Sequence, residues 1–140
     1  MQRDSERVGG LAMYRNKYGN RKCEYNGIVF DSKHEMQRYK ELLLLQRAGE
    51  ISDLELQKHF ELIPAQYERP TEKYKSGPKK GQFKQGKLLE RAVEYIADFY
   101  YYDHQKGHPV VEDTKGMKTK EYIIKRKLML YTYGLRILET

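Results

Sequence analysis

The stretch Tyr95-Ile96-Ala97-Asp98-Phe99-Tyr100-Tyr101-Tyr102, followed after a polar turn by Pro109-Val110-Val111-Glu112-Asp113-Thr114-Lys115-Gly116, decides how this chain is read. An acidic residue sits inside the first apolar run, and an Asp-x-Lys triplet closes the second. Side chains alternate along a strand, so Asp113 and Lys115 point the same way, roughly 7 Å apart, while Glu112 faces the other side. A carboxylate is costly to bury unpaired, so Asp98 either faces solvent or is held by a metal or a base. Two carboxylates and a lysine at the end of a sheet suit a magnesium-dependent phosphodiesterase, because Mg2+ takes oxygen ligands and keeps several waters. Asp98 and Asp113 are the expected ligands, with a backbone carbonyl near Thr114 as a third. Lys115 is placed to orient or help deprotonate the attacking water and to offset charge in the transition state. The bland alternative is a charged strand end running into a turn.

Upstream, Arg21 to Phe30 reads as a hairpin around Asn26-Gly27, a pair that tolerates positive φ at both residues. Asp31-Ser32 opens a helix that Gly49 ends, with Met36, Tyr39, Leu42, Leu43 and Gln46 as its inner stripe. Ile51 to Pro64 is extended. Leu88 to Asp103 reads as one long strand bent near Ala92, and Pro109 to Thr114 as the next. Lys118 to Tyr133 is helical, Gly134 caps it, and Leu135 to Leu138 makes a last strand. The expected fold class is α/β: helix, strand, strand, strand, helix, strand, with a mixed central sheet and an N-terminal hairpin. Residues 1–17 are expected to be a flexible segment, and 18–140 a single domain.

The chain has 140 residues, 39% hydrophobic and 34% charged, with a net charge of +7. That length allows one domain with a real core, and the charge favours a polyanionic partner such as DNA. Cys23 is the only cysteine, which excludes an intramolecular disulfide and a thiolate zinc cluster. The charged first residues do not read as a signal peptide, and no apolar run spans a bilayer. A cytoplasmic protein with no membrane partner is expected. Residues 65–87 carry Arg69, Lys73, Lys75, Lys79, Lys80, Lys84 and Lys87 against Glu68 and Glu72. With four breaking residues (Gly77, Pro78, Gly81 and Gly86), this stretch reads as a basic, mobile loop for DNA contact or for solubility. Lys118 and Lys120 add positive charge after the Asp-x-Lys triplet.

Glu35 has two readings. Ser32-Lys33-His34-Glu35 is a capping box, in which Ser32 accepts from the Glu35 amide and Glu35 reaches back to Ser32. From spacing alone the cap is the favoured reading; the alternative is that the same helix start brings a third carboxylate to the metal site. Gln57, in Leu54-Glu55-Leu56-Gln57, is either a satisfied strand residue or a contact to substrate or metal-bound water. The four histidines show no ligand spacing, and the tyrosines read mostly as core.

From about Tyr18 to Thr140 the chain resembles the PD-(D/E)XK nuclease superfamily, and within it a family of small phage and prophage proteins of unknown function. The resemblance rests on residues 26–35, 49–57, Ala97-Asp98-Phe99 and 111–116. It implies a restriction-endonuclease-like core and a DNA endonuclease dependent on Mg2+ or Mn2+. Asp98 and Asp113 match the motif's acidic positions and Lys115 its lysine. Glu35 matches the first-helix glutamate of resolvase-like members, which favours the catalytic reading of that residue. Glu112 and Gln57 remain accessory candidates. Ala97 stands where the motif has proline. Junction-resolving relatives imply branched DNA as the candidate substrate, phage recombination or replication as the setting, the host cytoplasm as the compartment and a homodimer as the assembly. The rivals are a non-catalytic DNA-binding protein with a nuclease fold and an interaction subunit of a phage complex.

Overall fold

A computed structural model describes residues 13–15, 21–115 and 117–140. Most of the expected flexible segment 1–17, and Gly116, lie outside them. Within that segment Met13–Arg15 (β1) is a strand, paired antiparallel with Arg21–Tyr25 (β2). The segment is therefore not uniformly loose.

β2 turns back through Asn26 and Gly27 into Ile28–Phe30 (β3), with Tyr25 opposite Ile28. Both turn residues have positive φ, 52° and 74°, as a tight two-residue hairpin requires. The first helix, α1, spans Lys33–Arg47, and the Ser32 side chain accepts from the Glu35 amide. Met36, Tyr39 and Leu42 are buried along it. Gln46 departs from the expected inner stripe: it is exposed, and its side-chain oxygen accepts from the Leu54 amide at 3.0 Å. A polar partner outside the helix, not helical spacing, sets its direction.

Ile51–Ile63 (β4), Val93–Asp103 (β7), His108–Asp113 (β8) and Ile137–Glu139 (β9) form a four-stranded sheet in the order β4-β7-β8-β9. β7 and β8 are antiparallel, β8 and β9 parallel. The fold is α/β, with a mixed sheet and two helices, α1 and Lys120–Tyr133 (α2). Two short strands, Gln66–Tyr67 (β5) and Leu88–Glu90 (β6), pair with each other. The expected long strand from Leu88 is thus two: Arg91 and Ala92 interrupt it, and its first part belongs to a separate hairpin. The stretch between β5 and β6, expected as a mobile loop, is also paired across itself, at Lys73 with Phe83.

Where the sequence suggests one domain after residue 17, the described residues gather into two compact units. The first takes the chain through Lys58, Asp98–Met117 and Ile137–Thr140; the second takes His59–Ala97 and Lys118–Arg136. The core of the first unit contains Cys23, Phe30, Met36, Tyr39, Leu42, Ile51, Phe99, Tyr101 and Val110. Within it the Tyr39 ring centroid lies 5.2 Å from that of Phe30 and 6.4 Å from that of Phe99. The second unit is organised around Phe60, whose ring lies 6.4 Å from Tyr95 and 5.5 Å from Tyr133. The Tyr133 hydroxyl donates to the Glu61 carbonyl at 2.6 Å. No helix among the described residues is long and apolar enough to cross a membrane.

Candidate active site

Pairing fixes the site. Phe99 lies opposite Glu112 across β7 and β8, so Asp98 and Asp113, one step along, are neighbours on the other face of the sheet. The alternation expected from sequence is therefore realised. Glu112 turns to Arg38 of α1 and Asp113 to the opposite side of its strand, and both are fully buried.

On the α1 side, Glu112 accepts from Arg38 at both carboxylate oxygens, Nε to Oε1 and Nη2 to Oε2 at 3.1 Å. The Tyr101 hydroxyl donates to Oε2 at 2.8 Å. This fork raises the Arg38 pKa above its ordinary value, and burial together with Glu112 raises that of Tyr101. Glu112 is thus committed to a buried structural network and sits apart from the site on the opposite face. Neither Arg38 nor Tyr101 was marked by the sequence reading.

On the other face, Asp98 Oδ2 accepts from the Thr114 amide at 2.8 Å and the Thr114 hydroxyl at 2.9 Å. Gln57 Nε2 lies 3.5 Å from Asp98 Oδ1. Lys115 Nζ is 3.5 Å from Asp113 Oδ1, and the Asp113 carbonyl accepts from the Thr140 amide at 2.9 Å. Thr114, near which a carbonyl ligand is expected, orients Asp98 through its amide and hydroxyl. The signal for this was present only as its position between Asp113 and Lys115.

Glu35 lies in the first turn of α1 and is almost wholly buried. The helix N-terminus should favour its carboxylate, but the opposing effects win. Burial first, then the charges of Asp98, Asp31 and Asp113, push its pKa up to about 7. The influence of Asp98 and Asp113 ties Glu35 electrostatically to the two strand carboxylates. The capping role is present on the Ser32 side, as the Ser32 hydroxyl takes the Glu35 amide; the side chain has a backbone hydrogen bond at Asp31 that partly counters the upward shift.

Asp98, Asp113, Glu35, Lys115, Gln57 and Thr114 all belong to the first unit. Three carboxylates whose charges act on one another are the hard oxygen-donor chemistry that Mg2+ or Mn2+ takes. The donor set fits such an ion in chemistry and charge. As the side chains stand, no group of three or more His, Cys, Asp or Glu among the described residues is gathered closely enough to hold one. The basic candidates Lys79, Lys80, Lys84, Lys118 and Lys120 are exposed and belong to the second unit.

A family described as "Protein of unknown function (DUF1064)" matches residues 15–138. No curated protein and no solved structure matches the chain.

Proposed function

The chain belongs to the DUF1064 family, and we propose that it is a metal-dependent DNA endonuclease with a restriction-endonuclease-like core, acting on branched DNA. One observation carries this reading: Asp98 and Asp113 are neighbours across the sheet with Lys115 Nζ 3.5 Å from Asp113, and burial together with the charges of Asp98, Asp31 and Asp113 pushes Glu35 up to about 7. A purely structural cluster gains nothing from carboxylates crowded together, whereas a divalent cation would relieve their repulsion.

Asp98, Asp113 and Glu35 would hold Mg2+ or Mn2+, which supplies a Lewis acid for the phosphoryl oxygen and activates water. Lys115 brings positive charge to the non-bridging oxygens as negative charge builds during in-line attack. Lys115 also orients the attacking water or helps to deprotonate it. Thr114 and Gln57 hold the Asp98 carboxylate in direction. A net charge of +7 favours the polyanionic substrate. Cutting both strands of a junction needs two sites, so a homodimer belongs to the proposal.

A second reading, DNA binding without cleavage, draws on the two hydrogen bonds that already occupy Asp98 Oδ2. Cleavage of branched, nicked and linear DNA in Mg2+, Mn2+ or EDTA separates the two. Metal-dependent cutting by the wild type that vanishes in Asp113→Ala supports the nuclease. Equal DNA binding by both proteins, with no cutting of any substrate, selects the binding module.

A further inference from the structure

The basic stretch between β5 and β6 is a built hairpin with its own register. The Glu68 amide donates to the Lys87 carbonyl at 2.7 Å, the Lys84 amide to Glu72 at 2.7 Å, and the Tyr74 amide to Gln82 at 2.9 Å. Lys73 pairs with Phe83, and the turn closes from the Lys80 amide to the Gly77 carbonyl at 3.1 Å. The two sides approach so closely that a Cβ at Gly86 would lie 1.9 Å from the Glu68 carbonyl oxygen. Any larger residue there would force the strands apart.

This hairpin carries aromatic rings with little apolar cover. Phe83 is 58% exposed, and Tyr74 is only half-buried. Because Phe83 pairs with Lys73 and Tyr74 with Gln82, the two rings fall on alternate faces of the ribbon. Each ring has lysine over it. Lys73 Nζ is 4.9 Å from the Phe83 centroid, and Lys79 and Lys84 are 5.9 and 5.7 Å from that of Tyr74. Residues 65–87 hold seven Lys or Arg against two Glu, a local charge of +5 within a chain of +7.

We propose that this hairpin binds unpaired nucleic-acid bases, with Tyr74 and Phe83 as stacking platforms and Lys73, Lys79 and Lys84 on the flanking phosphates. Solubility would require the charge but not the rings. Duplex binding would require the charge but has no use for a stacking surface, since paired bases present no free face. An exposed lysine–ring contact is weak, and a stacked base is the stronger partner, so a base displaces the ammonium onto the adjacent phosphate. The inference rests on the nucleic-acid partner of the proposed function, not on cleavage.

The test uses the full chain carrying Asp113→Ala, in EDTA, and fluorescence anisotropy. The probes are a labelled DNA single strand, the duplex of the same length, and a single strand of abasic sites. Tyr74→Ala with Phe83→Ala is expected to weaken single-strand binding by about tenfold or more, with the duplex changed by less than about threefold. The abasic strand should bind the unaltered hairpin as weakly as the intact strand binds the double alanine variant. Tyr74→Phe and Phe83→Tyr should restore binding, which separates stacking from loss of hairpin structure. Lys79→Gln with Lys84→Gln should weaken binding of all three probes and flatten the salt dependence. Equal binding of abasic and intact strands overturns the proposal, as does unchanged binding by the double alanine variant. Absence of binding to any nucleic acid overturns it too and points to an acidic protein partner. Base-dependent binding without cleavage by the wild type would leave this inference standing and remove the nuclease reading alone.

Discussion

Thr114 holds one oxygen of Asp98 with two hydrogen bonds, from its amide at 2.8 Å and its hydroxyl at 2.9 Å. A carboxylate fixed at Oδ2 in this way presents Oδ1 in a defined direction. Thr114→Val keeps the shape and the amide bond but removes the hydroxyl. Bonds to charged groups contribute about 1.5–3 kcal/mol, and Asp98 is only partly buried, so the lower end applies. The variant should lose about tenfold in metal-dependent cleavage and in Mg2+ affinity, whereas Thr114→Ser should retain both. Equal Mg2+ affinity in Thr114→Val and the wild type, measured by calorimetry, would show that the hydroxyl does not orient the carboxylate.

Glu35 makes the protein sensitive to pH in a defined direction. Its carboxyl is raised from 4.5 in the open chain to about 7 in the fold. Between those values the native state binds more protons than the unfolded one, so stability is fullest below pH 4.5 and declines as pH rises to about 7. Integrated over the shift, the loss is about 3 kcal/mol at most. Urea unfolding in EDTA at pH 5 and pH 8 should show this decline superimposed on the remaining titrations, and Glu35→Gln should remove it. Saturating Mg2+ at pH 8 should return part of the lost stability to the wild type and little to Glu35→Gln. A stability difference between pH 5 and pH 8 that is identical in the two proteins would contradict the assignment.

The parts of the site that were legible in the sequence are those governed by local periodicity. Alternation separated Glu112 from Asp113, Ser32 announced the start of α1, and Asn26-Gly27 fixed a hairpin. What escaped was non-local or polar. Arg38 reaches Glu112 from 74 residues away, and no local pattern encodes that distance. Gln46 occupied an apolar helical position but turned outward to the Leu54 amide. The 65–87 hairpin hid behind glycine, proline and lysine because its order comes from backbone bonds across the ribbon, which any composition can make.

Gln57 adopts φ 51° within β4, a left-handed conformation rare for a residue with a side chain. Holding such a conformation costs about 1–3 kcal/mol. Gln57→Gly should therefore stabilise the fold relative to Gln57→Ala, by about 1 kcal/mol. Both should lower cleavage by the same modest factor, because both lose the amide facing Asp98 at 3.5 Å. Chemical denaturation of the two variants reads the first effect and cleavage rate the second. If glycine proves no more stable than alanine, the positive φ is not a source of strain here.

The Arg38–Glu112 pair links α1 to β8, and its consequences extend to the site. Glu35 and Arg38 are one turn apart on α1, while Glu112 and Asp113 are consecutive on β8. Fixing Arg38 on Glu112 therefore fixes the helix turn that carries Glu35 relative to the strand that carries Asp113. Glu112 is fully buried and receives three hydrogen bonds, so removing its cation leaves an uncompensated charge. Arg38→Met alone should cost about 3–5 kcal/mol, and Glu112→Leu alone less, because Arg38 is partly exposed and keeps Glu41 at 2.9 Å. Together the two substitutions replace the pair with apolar volume, and the double variant should recover most of that loss. The double variant then isolates the positioning role. It should fold, yet its helix start is no longer pinned by a two-pronged bond, so Glu35 should titrate closer to the ordinary carboxylate range and cleavage should fall. Carboxyl NMR on the double variant measures the first effect directly. Recovery of stability with an unchanged Glu35 titration would confine the Arg38–Glu112 pair to holding the fold.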